Sequence, residues 1–265
     1  MTLFALCNGP RTPSLMCYDH MGRSTGGSST LLMVVWIGQW VVQMGLAAWF
    51  WFTPLGGTIL DAWSIAKVGP PSLERGVAIV VMLGCVTAHY SWVFVYRGLG
   101  SKITMGLDTS CMVIFLICCI QGGACLLAWC LPLPPAVFAI SIILFVIGIS
   151  IEAISDEQLH AFVSRKMAPG YSGPRIMTTG LRGYSRHPNL IGFLMYWVGF
   201  ALVSGAWYFA LGVGLAFIIF ILVQVLPALE HHMHTKYGTE WENYVARVPV
   251  WIPHPFCRKM EVSLA

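Results

Sequence analysis

Six apolar runs, at residues 31–53, 76–96, 103–131, 135–155, 189–204 and 206–229, constrain this chain more than any other feature. Each approaches or exceeds the roughly 20 residues that a helix rising 1.5 Å per residue needs to cross a bilayer core. Hydrocarbon offers no water to backbone N–H and C=O groups, so such a run folds as a helix or as a strand of a closed barrel. None of the six alternates with period two as a barrel strand does. The expected fold is therefore all-α: a polytopic membrane helix bundle of six transmembrane helices, with a seventh if residues 58–69 dip into the bilayer. The fifth run is short, and it either starts inside the polar segment before it or is broken at that end. Composition agrees, with 57% of the 265 positions hydrophobic and 10% charged, where a soluble domain carries about 25% charged. Eleven Trp and nine Tyr suit aromatic belts at two interfaces.

Charge orients the bundle. Arg97 and Lys102 follow the second run, Arg165, Lys166, Arg175, Arg182 and Arg186 follow the fourth, and Lys236, Arg247, Arg258 and Lys259 follow the sixth. The connections at 132–134 and around Gly205 carry no charge, so the basic loops alternate, which places both termini in the cytosol. The loop with Asp61, Lys67, Glu74 and Arg75 has no net bias and fits the opposite side. Residues 1–30 lack the apolar core of a signal peptide and read as a poorly ordered cytosolic tail. Residues 31–265 read as a single integral membrane domain without internal repeats. A net charge of +4, with basic residues at membrane mouths, does not imply nucleic acid; the expected surroundings are the lipid bilayer. Most of the nine Cys fall within the runs and behave as small apolar residues. No Cys-x-x-Cys occurs, and the adjacent His231 and His232 point in different directions on a helix, so no metal site is expected.

The polar chemistry is concentrated from Glu152 onward, in three groups. Glu152, Asp156 and His160 recur at i, i+4 and i+8 and form one stripe at the end of the fourth run. Ionisable residues near a membrane core are costly and face a cavity or a partner; a solvated helix end explains Glu157 easily and Glu152 poorly. The second group runs from Gly180 to Asn189 and includes Arg182, Tyr184, Arg186 and His187 just ahead of the fifth run. Pro188 suits the first position of a helix, where its missing N–H is no loss. Arg186 and His187 then stand at a helix N-terminus, where the dipole favours an anion. A positive-inside anchor accounts for any one of these arginines; the whole cluster points to a site for an anionic cofactor. The third group, residues 230–253, emerges from the sixth run as an amphipathic helix carrying Glu230, His231, Tyr237 and Tyr244, with Trp241, Tyr244 and Val248 near one face. Such a helix lies at the interface and can at the same time close a site.

The motifs Asp156-x-Gln158, Thr179-Gly180-Leu181-x-x-Tyr184-Ser185-Arg186-His187-Pro188-Asn189 and Lys236-Tyr237-Gly238-x-x-Trp241-x-x-Tyr244-x-x-Arg247-Val248-Pro249 resemble the C-terminal region of steroid 5α-reductase-like and sterol reductase membrane enzymes. The resemblance covers residues 147–253. Upstream it rests on Ala88-His89-Tyr90 and Phe94-Val95-Tyr96. It implies a C=C reductase of a steroid, sterol or other isoprenoid enone that enters laterally from the bilayer. It also implies NADPH, with phosphates over Arg182 and Arg186 at the fifth helix's N-terminus, and Asn189, His231 and Tyr244 at the ribose and nicotinamide. Glu152, Asp156, His160, Tyr184, His187, Glu230 and Tyr237 complete the cofactor region so implied, and Tyr90 is the implied catalytic proton donor. In a eukaryote the membrane would be that of the endoplasmic reticulum.

The Arg-His-Pro and Tyr-Gly patterns also resemble isoprenylcysteine carboxyl methyltransferases and phospholipid methyltransferases, which use S-adenosylmethionine. On that alternative Glu230 is the carboxylate for the sulfonium group. Ser155-Asp156 and the Gly-Leu-x-x-Tyr-Ser lead-in are closer to the reductases. Gly192-Phe193 with Trp197 is closer to the methyltransferases, because the reductases commonly carry an acidic residue where this chain has Phe193. His160 and Val163 stand where reductases carry arginines. A third reading is a non-catalytic lipid-binding or structural membrane protein.

Overall fold

The computed structural model describes residues 28–65, 72–93 and 107–251. The expected N-terminal tail lies outside them, except for its last three residues, which open the first helix. Arg97, Lys102 and the Phe94-Val95-Tyr96 motif also lie outside. The described chain is helical, with no strand among the described residues. Its elements are α1 (Ser28–Phe52), α2 (Leu55–Ala62), α3 (Leu73–Ser91), α4 (Leu107–Cys130), α5 (Pro135–Lys166), α6 (Pro188–Leu202), α7 (Trp207–Phe220), α8 (Leu226–Tyr237) and α9 (Thr239–Val245). This is the helical membrane bundle expected. Leu73–Ser91, Pro135–Lys166 and Trp207–Tyr237 are each long and apolar enough to cross a bilayer, and Phe115–Cys130 and Pro188–Leu202 are shorter apolar helices. Of the segment considered as a seventh span, residues 58–65 are described, and they hold the end of the eight-residue α2 (Leu55–Ala62), which is too short to cross a membrane.

Local chemistry sets the boundaries. The Ser72 hydroxyl accepts from the Arg75 N–H at 3.3 Å and caps α3, which meets one of the four orphan donors of a helix start. Pro135 and Pro188 open α5 and α6, where a proline costs no hydrogen bond. A five-residue π turn, Ile221–Val225, joins α7 to α8, so Glu230 stands on the same rod as the sixth apolar run. Gly238, at φ 53°, ends that rod and starts α9.

Large apolar side chains face outward, among them Ile143, Val146 and Ile147 on α5 and Leu211, Leu215 and Ile219 on α7, as a lipid solvent requires. With lipid as apolar as leucine, helices associate through close packing. The α5–α6 seam shows the consequence: a Cβ at Gly148 would stand 2.5 Å from the Tyr196 N, and one at Gly192 2.5 Å from the Gly148 carbonyl. The two backbones touch, and this contact sets Glu152 opposite Tyr196. At the far end of the bundle Arg75 is buried. Its Nε donates to the Val203 carbonyl at 2.8 Å and its Nη1 to the Leu131 carbonyl at 2.7 Å, closing the C-terminal ends of α6 and α4. The even charge balance of its loop gave no hint of this role.

Candidate active site

Inside the bundle α3, α5 and α6 bring together two phenols and a carboxyl. The Tyr90 and Tyr196 hydroxyls are 2.9 Å apart, and Tyr90 donates to Glu152 Oε1 over 3.5 Å. The Tyr90 hydroxyl thus links the other phenol and the carboxyl. His89 Nε2 stands 3.8 Å from the second Glu152 oxygen. Tyr196 is 1% exposed and Glu152 7%. Trp40 of α1 stacks on the Tyr90 ring at 5.5 Å with the planes 3° apart. Phe193 completes the wall, edge-on to Tyr196 at 5.6 Å and to Phe217 at 4.9 Å. The position where an acidic residue was expected by resemblance is thus an aromatic plug. The carboxyl of this chamber comes from Glu152, on the neighbouring helix.

The second centre lies at the start of α6. His187 Nε2 is 2.9 Å from Glu230 Oε1, and Arg186 Nε is 3.5 Å from the same oxygen. Arg186 and His187 are 7% and 5% exposed. Burial holds the His187 pKa below its ordinary value, with the Glu230 hydrogen bond opposing that shift, so the ring is neutral near pH 7. The Tyr244 hydroxyl donates to the Arg182 carbonyl at 2.6 Å, and Arg182 Nη1 donates to the Arg186 carbonyl at 2.9 Å. Burial pushes the Tyr244 phenol up to about 12, which keeps that donor protonated.

The C-terminal segment clamps the loop. The Arg186 N–H donates to the Pro249 carbonyl at 2.9 Å, the His187 N–H to the Val250 carbonyl at 3.3 Å, and the Ser185 hydroxyl to Val250 at 2.8 Å. Two backbone donors just ahead of the helix start are therefore already occupied, and side chains supply the charge of this mouth. Arg186 Nε and Nη1 and Asn189 Oδ1 are buried without a hydrogen-bond partner. An arginine nine-tenths buried with unmet donors fits a bound anion.

The two centres share α5. Asp156, 9% exposed, lies one turn beyond Glu152 on the same stripe. Gln158 Oε1 accepts the Leu181 N–H at 2.9 Å, which ties the end of the stripe to the turn that carries Arg182. His160 continues the stripe, half-buried. Of the remaining sequence candidates, Tyr184 is 50% exposed and His231 is exposed on α8. Tyr237 stands apart from the mouth: Lys166 Nζ lies 3.1 Å from its hydroxyl and 4.8 Å above its ring, with Arg175 and Lys236 beside it. Trp241, Tyr244 and Val248 share one face, as the periodicity indicates, but that face packs on Ile176 and is covered by protein. Tyr196 was not anticipated, because one tyrosine in an apolar run has no distinguishing spacing; its register, seven residues after Asn189, is the only clue. Among the described residues no group of three or more His, Cys, Asp or Glu is placed to hold a metal.

A helical membrane bundle with a buried phenol–carboxyl cluster and a basic mouth is the class that this fold and site define. Residues 132–248 match the family described as "Protein of unknown function (DUF1295)". The chain is 28% identical over 222 residues to 3-oxo-5-alpha-steroid 4-dehydrogenase 2 of Sus scrofa, covering 79% of this chain and 80% of the pig protein. It is 33% identical over 84 residues to Delta(14)-sterol reductase LBR of Gallus gallus, which covers 32% of this chain but 13% of the chicken protein.

Proposed function

We propose that this protein is a membrane-embedded reductase that uses NADPH to saturate a C=C bond conjugated to a carbonyl in a steroid, sterol or other isoprenoid. The observation that carries the reading is the Tyr90 phenol, held inside the bundle by Tyr196 and by Glu152, whose helix α5 also leads to the Arg186 mouth. The similarity to two proteins named as acting on steroids or sterols supports it. Arg186, with Arg182 and Asn189 beside it, would hold the phosphate and ribose end of the cofactor through side-chain donors. NADPH, when bound, supplies a hydride to the alkene carbon β to the substrate carbonyl. Tyr90 donates a hydrogen bond to that carbonyl oxygen and so stabilises the negative charge that develops there. The aromatic wall of Trp40, Phe193 and Trp197 excludes water and presents an apolar face to the substrate's rings.

The S-adenosylmethionine alternative needs Glu230 as an available carboxylate, whereas Glu230 is engaged by His187 and Arg186. The topology proposed with the reductase reading has both termini in the cytosol, on the same side as the Arg186 mouth. The deciding experiment is thermal stabilisation of the detergent-purified chain by NADPH and, separately, by S-adenosylmethionine. A ligand at a hundredfold excess over its Kd stabilises by about 2.7 kcal/mol. Stabilisation by NADPH with reduction of a 4-en-3-one steroid is the expected result. Stabilisation by S-adenosylmethionine alone refutes the reading.

A further inference from the structure

Tyr196 has no part in the donor role given to Tyr90, yet it is the best-placed polar group in the chamber. Its hydroxyl lies 2.9 Å from that of Tyr90, within ordinary hydrogen-bond range, whereas the direct Tyr90–Glu152 contact is stretched to 3.5 Å, past the usual limit for O–H···O bonds. Tyr196 is therefore the nearer of the two groups that hold the Tyr90 hydroxyl. Its backbone is fixed by the α5–α6 contact at Gly148, and its ring is held by Phe145 at 6.0 Å and Phe193 at 5.6 Å. A hydroxyl this constrained, in surroundings that offer no water, keeps its partners.

We propose that Tyr196 is a positioning residue that fixes the Tyr90 hydroxyl through the 2.9 Å bond between them. This rests on the reductase reading. The balance is simple. Hydride addition to the β-carbon breaks the alkene π bond and sends its electrons toward the carbonyl oxygen, which takes the Tyr90 proton. The Glu152 proton then passes to Tyr90 along their own contact, leaving a carboxylate. The enol rearranges to the saturated ketone, and the net uptake is one hydride and one proton. Glu152 regains its proton along its own stripe. The ionisable groups around this cluster are His89 on α3, Glu152 and Asp156 on α5, and Tyr90 and Tyr196 themselves; α1 contributes Trp40 and no ionisable group. Asp156, one turn nearer the mouth, is the next station.

The test uses Tyr196→Phe and Glu152→Gln in the full chain, in lipid nanodiscs, with 3-fluorotyrosine placed at position 90. The 19F resonance reads the hydrogen bonding of Tyr90 without any turnover, and reduction of a 4-en-3-one steroid by NADPH reads what that positioning contributes to the reaction. Each variant is expected to shift the 19F resonance. Each should lower kcat about tenfold, the worth of one strong hydrogen bond, with KM for steroid and NADPH within about twofold of the parent and a larger solvent deuterium isotope effect on kcat. Tyr90→Phe should lose about 10²–10⁴-fold, the range of a positioned proton donor. If Tyr90→Phe is impaired while Tyr196→Phe turns over like the parent, the positioning role is wrong and the reductase reading stands. If the parent reduces no enone, the reductase reading fails, and the positioning role falls with it. The 19F shift then still tests the hydrogen-bonded cluster, and an unchanged resonance in Tyr196→Phe overturns that as well.

Discussion

The inner chamber and the basic mouth sit at opposite ends of one stripe on α5 and are built on opposite plans. In the chamber each catalytic candidate is bonded to another side chain of the same cluster, and the helices that present them touch backbone to backbone at Gly148 and Gly192. At the mouth the backbone is what is satisfied, by Pro249 and Val250, while the Arg186 guanidinium keeps buried donors unmet. A closed set of mutual bonds suits proton traffic, which needs fixed short distances. Unmet charge suits a ligand that arrives and leaves. On the proposed function, the contrast assigns chemistry to the first region and capture to the second.

The perturbation with the largest expected effect strikes the contact on which the chamber depends. Gly192→Leu would drive a side chain into the Gly148 carbonyl and the Glu152 backbone, at 2.5 and 2.6 Å from its Cβ. Overpacking usually costs about 1–3 kcal/mol, and contact with rigid backbone belongs at or above the top of that range. The measured outcome should be a lower melting temperature and loss of the Tyr90–Tyr196 bond together. A variant as stable as the parent would show that the chamber does not depend on that seam. Arg186→Lys attacks the other region alone. It keeps the charge but loses the planar fork, so NADPH affinity should fall about ten- to a hundredfold, matching roughly 1.5–3 kcal/mol for one charged hydrogen bond. Stability and the 19F signature of Tyr90 should stay as in the parent. Parental NADPH affinity in this variant would reduce Arg186 to a membrane-side anchor.

The two regions were unequally legible in the sequence. The mouth announces itself, because Arg, His, Pro and Asn have no reason to crowd the start of an apolar run, and Pro188 does open α6 as its chemistry requires. The stripe was legible too, since three ionisable groups at helical spacing stand out in a hydrophobic segment, although α5 continues to Lys166 where the apolar run stops at 155. A helix extends past its hydrophobic stretch whenever the following residues are good formers, and Glu, Gln, Leu and Arg are. What stayed hidden depends on contacts between segments far apart in the chain. Tyr196, the Phe193 plug, the closure of two helix ends by Arg75 and the cation cage around Tyr237 are all of this kind. None has a local spacing that marks it, and Tyr237 looked like part of the mouth only because its motif did.

Smaller effects sharpen the contrast within the mouth itself. Tyr244→Phe removes the donor to the Arg182 carbonyl, worth about 1 kcal/mol. Because burial keeps that phenol protonated to about pH 12, its effect on the melting temperature should be the same at pH 6 and pH 9. A pH-dependent difference would mean that the bond is not what holds the loop.

His187 should behave in the opposite way, and its effect is the smallest. Burial lowers its pKa below 6.5 while the hydrogen bond its ring donates to Glu230 pulls it partly back. The unfolded chain, with histidine near 6.5, therefore binds more protons than the folded one between the lowered value and about pH 6.5. Stability rises with pH across that window, is complete above it and is lost as the pH falls through it. Carboxylates elsewhere titrate on acidification as well, so the informative quantity is a difference: the melting temperature of His187→Gln should drop less than that of the parent between pH 7.5 and pH 5. The chamber's cluster contains no part of this term, so Tyr196→Phe should follow the parent curve. If His187→Gln and the parent run parallel over the whole range, His187 is not held neutral at the mouth. The Glu230 pairing that argues against a sulfonium cofactor would then have to be read as an ion pair with a charged imidazole.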